Sequence, residues 1–176
     1  MRNRFYPFFC SLLLTMLLSG CGFQLRGYNQ TLPFHTLYLE SNPPYTNFSK
    51  ELRQALKAMK VNVYLSPPAP ITLQVLSQNF TRTVTSLGNA GQTTTYLLSF
   101  TVLFQVLDRA NHILLPPQQV RATRNFSITS NQLSGDLNTQ TDLEEDMQRD
   151  AIQQLLTRLT SPAMQQQFCQ IYSPSR

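Results

Sequence analysis

The sequence predicts an α+β fold in which two helices pack on one face of a mixed, mainly antiparallel four-stranded sheet. Its segments follow the order strand, helix, strands, helix, and each predicted helix carries a single apolar stripe. The strictest alternating segment is apolar on one face only. Because each apolar face must be buried against another element, these observations indicate a two-layer sandwich, with helices over one side of the sheet.

The chain begins its predicted domain with a strand and a helix. Thr36 to Glu40 is the first strand, and a Ser-Asn-Pro-Pro turn signal ends it. A helix is expected to begin near Asn47 or Ser49, both suitable N-caps, because apolar residues then recur at helical spacing as far as Met59. Its charged face is predicted to be solvated, and a basic binding face is the alternative. The alternating Val61 to Leu65 is a candidate short strand.

A long hairpin forms the centre of the predicted sheet. One arm, Ile71 to Ser86, shifts its alternation near Val75 and Leu76, which indicates a β-bulge. The other arm, Thr93 to Asp108, alternates without interruption. Between them, the two glycines of Leu87 to Gly91 are expected to supply positive φ angles for the turn.

The length of this hairpin is unusual. Each arm of about 15 residues would extend about 50 Å, whereas strands usually have about 3 to 10 residues. The outer half, Thr81 to Thr95, is rich in Thr and Ser. We therefore expect the hairpin to project beyond its own core and to lie against a polar, uncharged partner, because long exposed edges otherwise favour aggregation. Free twisting in solvent is the alternative.

The last strand and helix follow the hairpin. A strand begins at His112, is interrupted by Pro116-Pro117 and resumes from Val120 to Ile128, so an edge position or a kink is expected. Thr129 to Gln140 is predicted to be a polar loop. A capping-box sequence at Thr141 to Glu144 then begins a helix with an apolar stripe. The neighbouring acidic residues are attributed to helix-dipole compensation, because they lack the spacing of a calcium loop.

The N-terminal residues are predicted to form a secretory leader. Two arginines precede an apolar run that is too short for a confident membrane span, and the run ends at Leu18-Ser19-Gly20-Cys21. This pattern resembles a bacterial lipobox, which predicts cleavage between Gly20 and Cys21 and acylation of Cys21; an ordinary cleavage site beside a chance cysteine is the alternative. The glycine at position 22, in place of aspartate, favours the outer membrane.

The predicted organisation is therefore that of one lipid-anchored domain. Residues 1–20 are the signal peptide, 21–30 a lipidated linker, 31–160 a single α/β sandwich domain, and 161–176 a C-terminal tail that includes a candidate short helix. Without the leader the chain has 12 Lys+Arg against 9 Asp+Glu, a net charge of only +3. Charged residues make up 13% of the sequence, about half the usual fraction, so the surface is expected to be polar but sparsely charged.

The sequence contains no pattern that indicates catalysis. The two histidines are isolated, no nucleophile elbow or phosphate-binding loop occurs, and no Cys/His or carboxylate spacing suits a metal. Cys169 is the one cysteine beyond the leader and the lipobox, and we expect it to be buried or inert. We therefore predict a protein that is not an enzyme, requires no cofactor and does not bind nucleic acid.

Three motifs resemble the LptE family of lipopolysaccharide (LPS)-assembly lipoproteins. They are Cys21 to Gly27 directly after the lipobox, Asn89 to Thr93 before a strand containing Tyr96, and Glu145-Asp146-Met147 in the last helix. The resemblance implies a helix-on-sheet fold inside the β-barrel LptD, help with the folding of that barrel, and a shared role in inserting LPS into the outer leaflet. A free-standing carrier of an apolar or anionic lipid is the alternative function.

The resemblance also implies LPS contacts near the hairpin turn and before the last helix. The matching stretches, Leu87 to Gln92 and Asn138 to Asp142, contain no Lys or Arg, unlike those of the family. The candidate residues for contact with the partner or with LPS are Arg82, Asn89, Gly91, Arg121 and Arg124. The arginines are included because a guanidinium binds phosphate bidentately, and ordinary surface arginines are the alternative.

Overall fold

The computed structural model describes residues 32–64, 66–67, 69–88, 93–129, 133–162, 164–166 and 168. Within these residues five strands and two main helices follow one another along the chain. They are β1 (Thr36–Ser41), α1 (Asn47–Ala58), β2 (Asn62–Tyr64), β3 (Ile71–Leu87), β4 (Thr93–Asp108), β5 (Ile113–Thr129) and α2 (Leu133–Leu159). No helix in this part of the chain is long and apolar enough to cross a membrane.

The sheet has five strands in the order β2-β1-β3-β4-β5, so the expectation of four strands was wrong. The additional strand is β2, which lies within the candidate segment Val61 to Leu65 and pairs in parallel with β1. β1 is also parallel to β3, whereas the longer β3–β4 and β4–β5 pairs are antiparallel. The sheet is therefore mixed, and the predicted arrangement of two helices with one sheet is otherwise confirmed.

Helix α1 begins at Asn47, as expected, but its N-cap is the residue before. Thr46, and neither Asn47 nor Ser49, is the N-cap, because its hydroxyl accepts a hydrogen bond from the Ser49 N–H at 3.1 Å. At the other end, the Val61 N–H donates to the Leu56 carbonyl. These two caps fix the length of the crossover that returns the chain to the sheet as β2.

The β-bulge near Val75 and Leu76 is confirmed. Val75 pairs with Phe104 and Ser77 with Leu103, so Leu76 is an additional residue in β3. The helix-side face of β3 is occupied by Ile71, Leu73 and Val75 before the bulge and by Gln78, Phe80, Arg82 and Val84 after it. A second shift of register, between Val84 and Ser86, returns Leu87 to the helix side.

The edge position of the strand with two prolines is confirmed, because β5 is the last strand of the sheet. The strand continues from Ile113 to Thr129, and the register to β4 shifts where Pro116 and Pro117 lie. Proline lacks the N–H that a sheet requires from interior strands, and an irregular edge tolerates this loss.

Helix α2 begins at Leu133, so the interpretation of Thr129 to Gln140 as a loop was wrong after its first few residues. Thr141 consequently lies inside the helix and does not cap it. The acidic residues near Thr141 are also beyond the first turn, where the helix dipole acts most strongly. Farther along this helix, Gln140 accepts a hydrogen bond from Arg82 of the hairpin, so a tertiary contact supports the part of α2 that was expected to be a loop.

The core lies between the helix layer and one face of the sheet. Alternate residues of β4 from Leu98 to Val106 are buried there, as the alternation of that strand predicted. Phe48 of α1 packs on Phe100, with ring centroids 5.6 Å apart. Met164 and Phe168, in the segment predicted to be a tail, also belong to this core. The protein therefore buries helical residues beyond α2 against the same sheet.

Candidate interaction surfaces

The sheet face opposite the helices, which we call the open face, is mainly polar. In β3 and β5 it displays Thr, Ser, Asn and Gln side chains, among which Arg121 is a single cation. In β4 the residues of this face are half-buried and include Leu97 and Leu103 between neutral polar neighbours. The open face therefore offers many hydrogen-bonding groups and little charge.

Side chains on the open face form hydrogen bonds across the strands. Gln105 Nε2 donates to Gln74 Oε1, and Gln74 Nε2 donates to Glu40 Oε2 at 3.1 Å. These bonds join β4, β3 and β1 in one row. Farther out, the hydroxyls of Thr95 and Ser127 are 3.0 Å apart. Such links hold the polar side chains of this face in fixed orientations.

Two of the candidate arginines lie in one row on the helix side of the sheet. Arg82 pairs with Leu98 in the β3–β4 ladder, and Leu98 pairs with Arg124 in the β4–β5 ladder. Neighbouring strands are about 4.8 Å apart, so the two arginine backbones lie about 10 Å apart on either side of a fully buried leucine. The structure therefore brings Arg82 and Arg124 to the same face.

Both of these arginines have partners within the chain. The Arg82 guanidinium lies 3.6 Å from the centre of the Tyr96 ring and donates to Gln140 Oε1 at 2.9 Å. Arg124 forms an ion pair with Asp150 of α2. Each guanidinium is thus directed toward this helix or the hairpin, and these contacts compete with any anionic ligand.

Arg121 lies on the opposite, open face. Its side chain is exposed and makes no hydrogen bond or ion pair within the described residues. Its backbone carbonyl accepts a hydrogen bond from Gln154 Nε2 at 3.1 Å. The three candidate arginines therefore do not form one cluster.

The remaining candidates lie outside the described residues. These are Gly20, Cys21, Asn89 and Gly91. Cys169 is outside them as well. At the described end of the hairpin, Gly88 does not have a positive φ angle. An added Cβ at Gly88 would lie 3.0 Å from the Thr93 carbonyl oxygen, so glycine is required there for close approach of the two arms.

A cluster of four neutral side chains joins α1 to β3. Gln78 donates through Nε2 to the Ser41 hydroxyl at 3.0 Å and accepts from Thr46 Oγ1 at 3.1 Å. The Ser49 hydroxyl lies 2.7 Å from the hydroxyls of both Ser41 and Thr46. Because its members satisfy one another next to the bulge at Leu76, this cluster has a structural role.

The surface also has two depressions between secondary-structure elements. One of about 540 Å³ lies beside β2 and is lined by Lys57 and Lys60, among others. The other, of about 440 Å³, lies between the two helices and includes Glu51 and Arg149 in its lining. Charged residues at both sites do not suit an apolar ligand. Among the described residues, no group of three His, Cys, Asp or Glu side chains could hold a metal ion.

Among the residues that the structure describes, Asp108 in the β4–β5 turn is the one group with a resolved pKa shift. Partial burial acts to raise the pKa of Asp108, but hydrogen bonds from His112 and from the Ala110 N–H outweigh it and lower the pKa below 3.8. The carboxylate accepts from the backbone N–H groups of Ala110 and His112 at 2.7 and 2.8 Å. These bonds order the turn and indicate no proton-transfer chemistry.

Sequence reasoning missed the partners of the arginines. Gln140, Asp150 and Gln154 face the sheet from α2, and each binds a group of β3 or β5. Their spacings of ten and four residues are compatible with one side of a helix. Asp150 and Gln154 lie within the predicted helix, so their shared side was predictable, whereas Gln140 could have been identified only with a helix that begins at Leu133.

The fold is shared with solved bacterial lipoproteins. A lipoprotein B from Nitrosomonas europaea, solved in solution, is 24% identical to this chain, with a TM-score of 0.69, and the match covers 86% of this chain and 97% of that one. The rare lipoprotein B from Shewanella oneidensis is 18% identical with a TM-score of 0.62, over 70% and 92% of the two chains. The chain thus shares its fold with a class of bacterial lipoproteins.

Sequence comparison identifies the family within this class. The sequence model of the LptE family, described as lipopolysaccharide-assembly, matches residues 34–159. The LPS-assembly lipoprotein LptE from Pectobacterium atrosepticum is 29% identical to the chain, and the match covers 90% of this chain and 86% of that one. The LptE from Yersinia enterocolitica is 30% identical, over 84% of this chain and 72% of that one. The chain belongs to the LptE family, which confirms the resemblance found in the sequence and assigns it a role in LPS assembly.

Proposed function

We propose that the mature chain is an outer-membrane lipoprotein that plugs an LptD-like β-barrel and helps it to assemble, thereby contributing to insertion of LPS into the outer leaflet. Acylated Cys21 would hold it on the periplasmic side after removal of residues 1–20. The proposal involves no catalytic step and no cofactor. Family membership supports the role in LPS assembly, and the surface supports the more specific role of a plug.

The observation that carries the proposal is the neutral polar character of the open face. The lumen of a large β-barrel is polar, and a domain inside it loses contact with bulk water. Neutral hydroxyl and amide groups can exchange hydrogen bonds with such a wall, whereas an unpaired charge would be costly to desolvate. The open face has these groups on three neighbouring strands, and the long hairpin extends the same surface.

The experiment is purification of the full-length lipoprotein through a C-terminal tag, after co-expression with the LPS-translocon barrel of the same genome. We expect the barrel in a one-to-one complex. Depletion of the lipoprotein should leave misfolded barrel and a defective LPS layer. Purification without the barrel would contradict the proposal, and tight lipid binding by a monomeric domain that ignores the barrel would favour a carrier.

The candidate arginines are proposed contacts for LPS phosphates within that complex. Arg121 is the best placed of the three, because its guanidinium is exposed and has no described partner. Arg82 and Arg124 would first have to exchange Gln140 and Asp150 for the ligand. Arg121→Ala should therefore reduce binding of LPS to the complex more than Arg82→Ala does, measured with purified LPS, and equal effects would contradict this order.

A further inference from the structure

The two sides of the sheet differ in how their strand edges are protected. An edge strand presents unpaired N–H and C=O groups that can pair with another chain. On one side, β5 is the last strand over its whole length. On the other side, β1 and β2 are short, and β1 pairs with β3 only as far as Val75. The outer part of β3 is therefore an edge as well.

The edge of β5 is covered by side chains of its own domain. Gln154 Nε2 donates to the outward carbonyl of Arg121, and Arg124 Nη1 donates to the carbonyl of Thr123 at 2.9 Å. Farther along, Arg158 Nη1 donates to Gln118 Oε1 at 3.1 Å. Pro116 and Pro117 also lack the N–H group that pairing with another strand would use. A strand could not pair along this edge without displacing several of these groups.

The outer edge of β3, residues 79–87, has no comparable protection from the part of the chain that the structure describes. Gln78 is held by the neutral cluster at the start of α1, but beyond it no described element pairs with the strand. This stretch contains no proline and one charge, Arg82, which is directed onto Tyr96. Val84 and Leu87 are 52% and 72% exposed on its helix side. Such a neutral, β-branched edge is suited to pairing.

The ladder identifies the amides that point away from the protein at this edge. Gly88 N–H donates to the Thr93 carbonyl, so this pair occupies a hydrogen-bonded position of the hairpin. Antiparallel pairs alternate between hydrogen-bonded and non-hydrogen-bonded positions. This alternation continues from Gly88 along the β3–β4 register, including the shift at Thr85. It places the N–H groups of Phe80, Arg82 and Val84 on the outer side of β3, away from β4. The outward carbonyl of Arg121 on β5 gives the same assignment from the opposite side.

We propose that the outer edge of β3 is a strand-addition site, where an extended segment of the barrel partner pairs with residues 79–87. This inference rests on the proposed function. The added segment would alternate, with apolar side chains beside Val84 and Leu87 and neutral polar side chains beside Thr81 and Thr83. Its backbone would bind the outward amides of Phe80, Arg82 and Val84.

The size of the edge favours the barrel over a second copy of the chain. An edge of nine residues is about 30 Å long, and a sheet is about 10 Å thick, so the contact covers roughly 300 Å² on each partner. A stable interface usually buries about 800 Å² on each side. Two copies joined through this edge alone would fall short, whereas a barrel that surrounds the hairpin also covers its faces.

The test places one proline on each edge strand of the full-length lipoprotein. Val84→Pro removes an outward amide of β3 without removing a bond to β4, and Asn125→Pro is its counterpart on β5. We expect Val84→Pro to reduce co-purified barrel at least tenfold, while Asn125→Pro and Val84→Ala change it less than twofold. Undiminished capture by Val84→Pro would overturn the inference while leaving the proposed function intact. Failure of the wild-type chain to capture the barrel would overturn both.

Two further measurements test the inference if the Val84→Pro variant fails to fold, or if a second copy of the chain binds the edge of β3. Hydrogen exchange of the wild-type chain does not depend on the variants: the outward amides of Phe80, Arg82 and Val84 should exchange at least tenfold more slowly in the complex than in the free lipoprotein. Unchanged exchange overturns the inference. A dimer of the purified lipoprotein that Val84→Pro abolishes would also overturn it, because a second copy would then occupy the edge.

Discussion

Arg124 shows how one side chain can act more through geometry than through charge. Its guanidinium pairs with Asp150 and also donates to the Thr123 carbonyl. The two charged side chains are 40% and 46% exposed, and exposed ion pairs usually contribute less than about 1 kcal/mol to stability. The contact with the carbonyl blocks a position where another strand would bind. The main effect of Arg124 is therefore on what the protein can associate with.

Asp108 gives a pH-dependent prediction. Its lowered pKa means that the ionised carboxylate is favoured in the folded state, so its stabilising effect is complete above the ordinary carboxyl pKa and is lost as pH falls through the lower, folded value. We expect Asp108→Asn to be less stable than wild type at pH 6 and the difference to shrink below pH 3.8. Urea unfolding across this range measures it.

The matched control for this prediction is Asp142→Asn, which removes the same charge at an exposed position of α2. It should leave the pH dependence close to that of wild type. A difference between Asp108→Asn and wild type that stays constant down to pH 2 would mean that the turn does not depend on the ionised carboxylate.

At the scale of the element, the C-terminus of α1 is closed by a Schellman motif. Val61 N–H donates to the Leu56 carbonyl at 3.1 Å, and Lys60 N–H donates to the Lys57 carbonyl at 2.9 Å. Val61 and Leu56 occupy the two positions of this motif that usually make a hydrophobic contact, and both are buried. The chain can reverse here only because Lys60 has a φ angle of 63°, a position usually occupied by glycine.

We predict that Lys60→Gly stabilises the protein by about 0.5 kcal/mol. Glycine relieves the left-handed strain of about 1 kcal/mol, and part of this gain is offset by the greater freedom of glycine in the unfolded chain. Lys57→Gly, in the last turn of the same helix, is the control and should destabilise by about 0.5–1 kcal/mol. Denaturant unfolding measures both, and equal losses for the two variants would contradict the role given to the φ angle.

At the scale of the whole molecule, the structure leaves one side of its sheet available and closes the other. Prolines and three side-chain contacts protect β5, whereas residues 79–87 of β3 lie open beyond a short β1. A protein under general selection against aggregation would be expected to protect both edges. The difference is explained if one edge is normally paired.

The protection of β5 can be removed without touching the core. We predict that Arg124→Ala combined with Gln154→Ala raises self-association at least tenfold, which corresponds to about 1.4 kcal/mol, because two outward carbonyls become available. Sedimentation velocity over a range of concentrations measures this. Arg149→Ala, which removes an arginine bound to Asp146 on α2 itself, should not associate more than wild type. A double variant as monomeric as wild type would show that other groups protect the edge.

The sequence was most informative where a periodic pattern determined the structure. The alternation of β4, the bulge in β3 and the apolar stripe of α1 each correspond to an observed element. β2 was difficult to place because a strand of three residues is too short to show an alternating pattern. Its pairing with β1 also depends on the crossover through α1. The start of α2 was missed because Thr141 to Glu144 has the sequence of a capping box, although the helix begins at Leu133.

The candidate site was less predictable for a related reason. Which face of the sheet carries Arg82 depends on the bulge, and the partner of Arg124 depends on where α2 crosses β5. Neither relation is local in sequence. The polar character of the surface, by contrast, follows from composition, because a chain with 13% charged residues has few charges to distribute.

The single additional residue at Leu76 constrains how this gene can change. Deleting Leu76 itself would remove only the bulge, because Val75 and Gln78 would stay on the same face. With the bulge kept, deleting a residue beyond it, such as Asn79, would exchange the two faces of the remaining strand, so that Phe80 and Val84 would point away from the helices and Thr81 and Thr83 into them. No substitution at one position could repair such an exchange. We therefore expect insertions and deletions among relatives in this arm to occur in pairs, or to be compensated by a shift of the bulge.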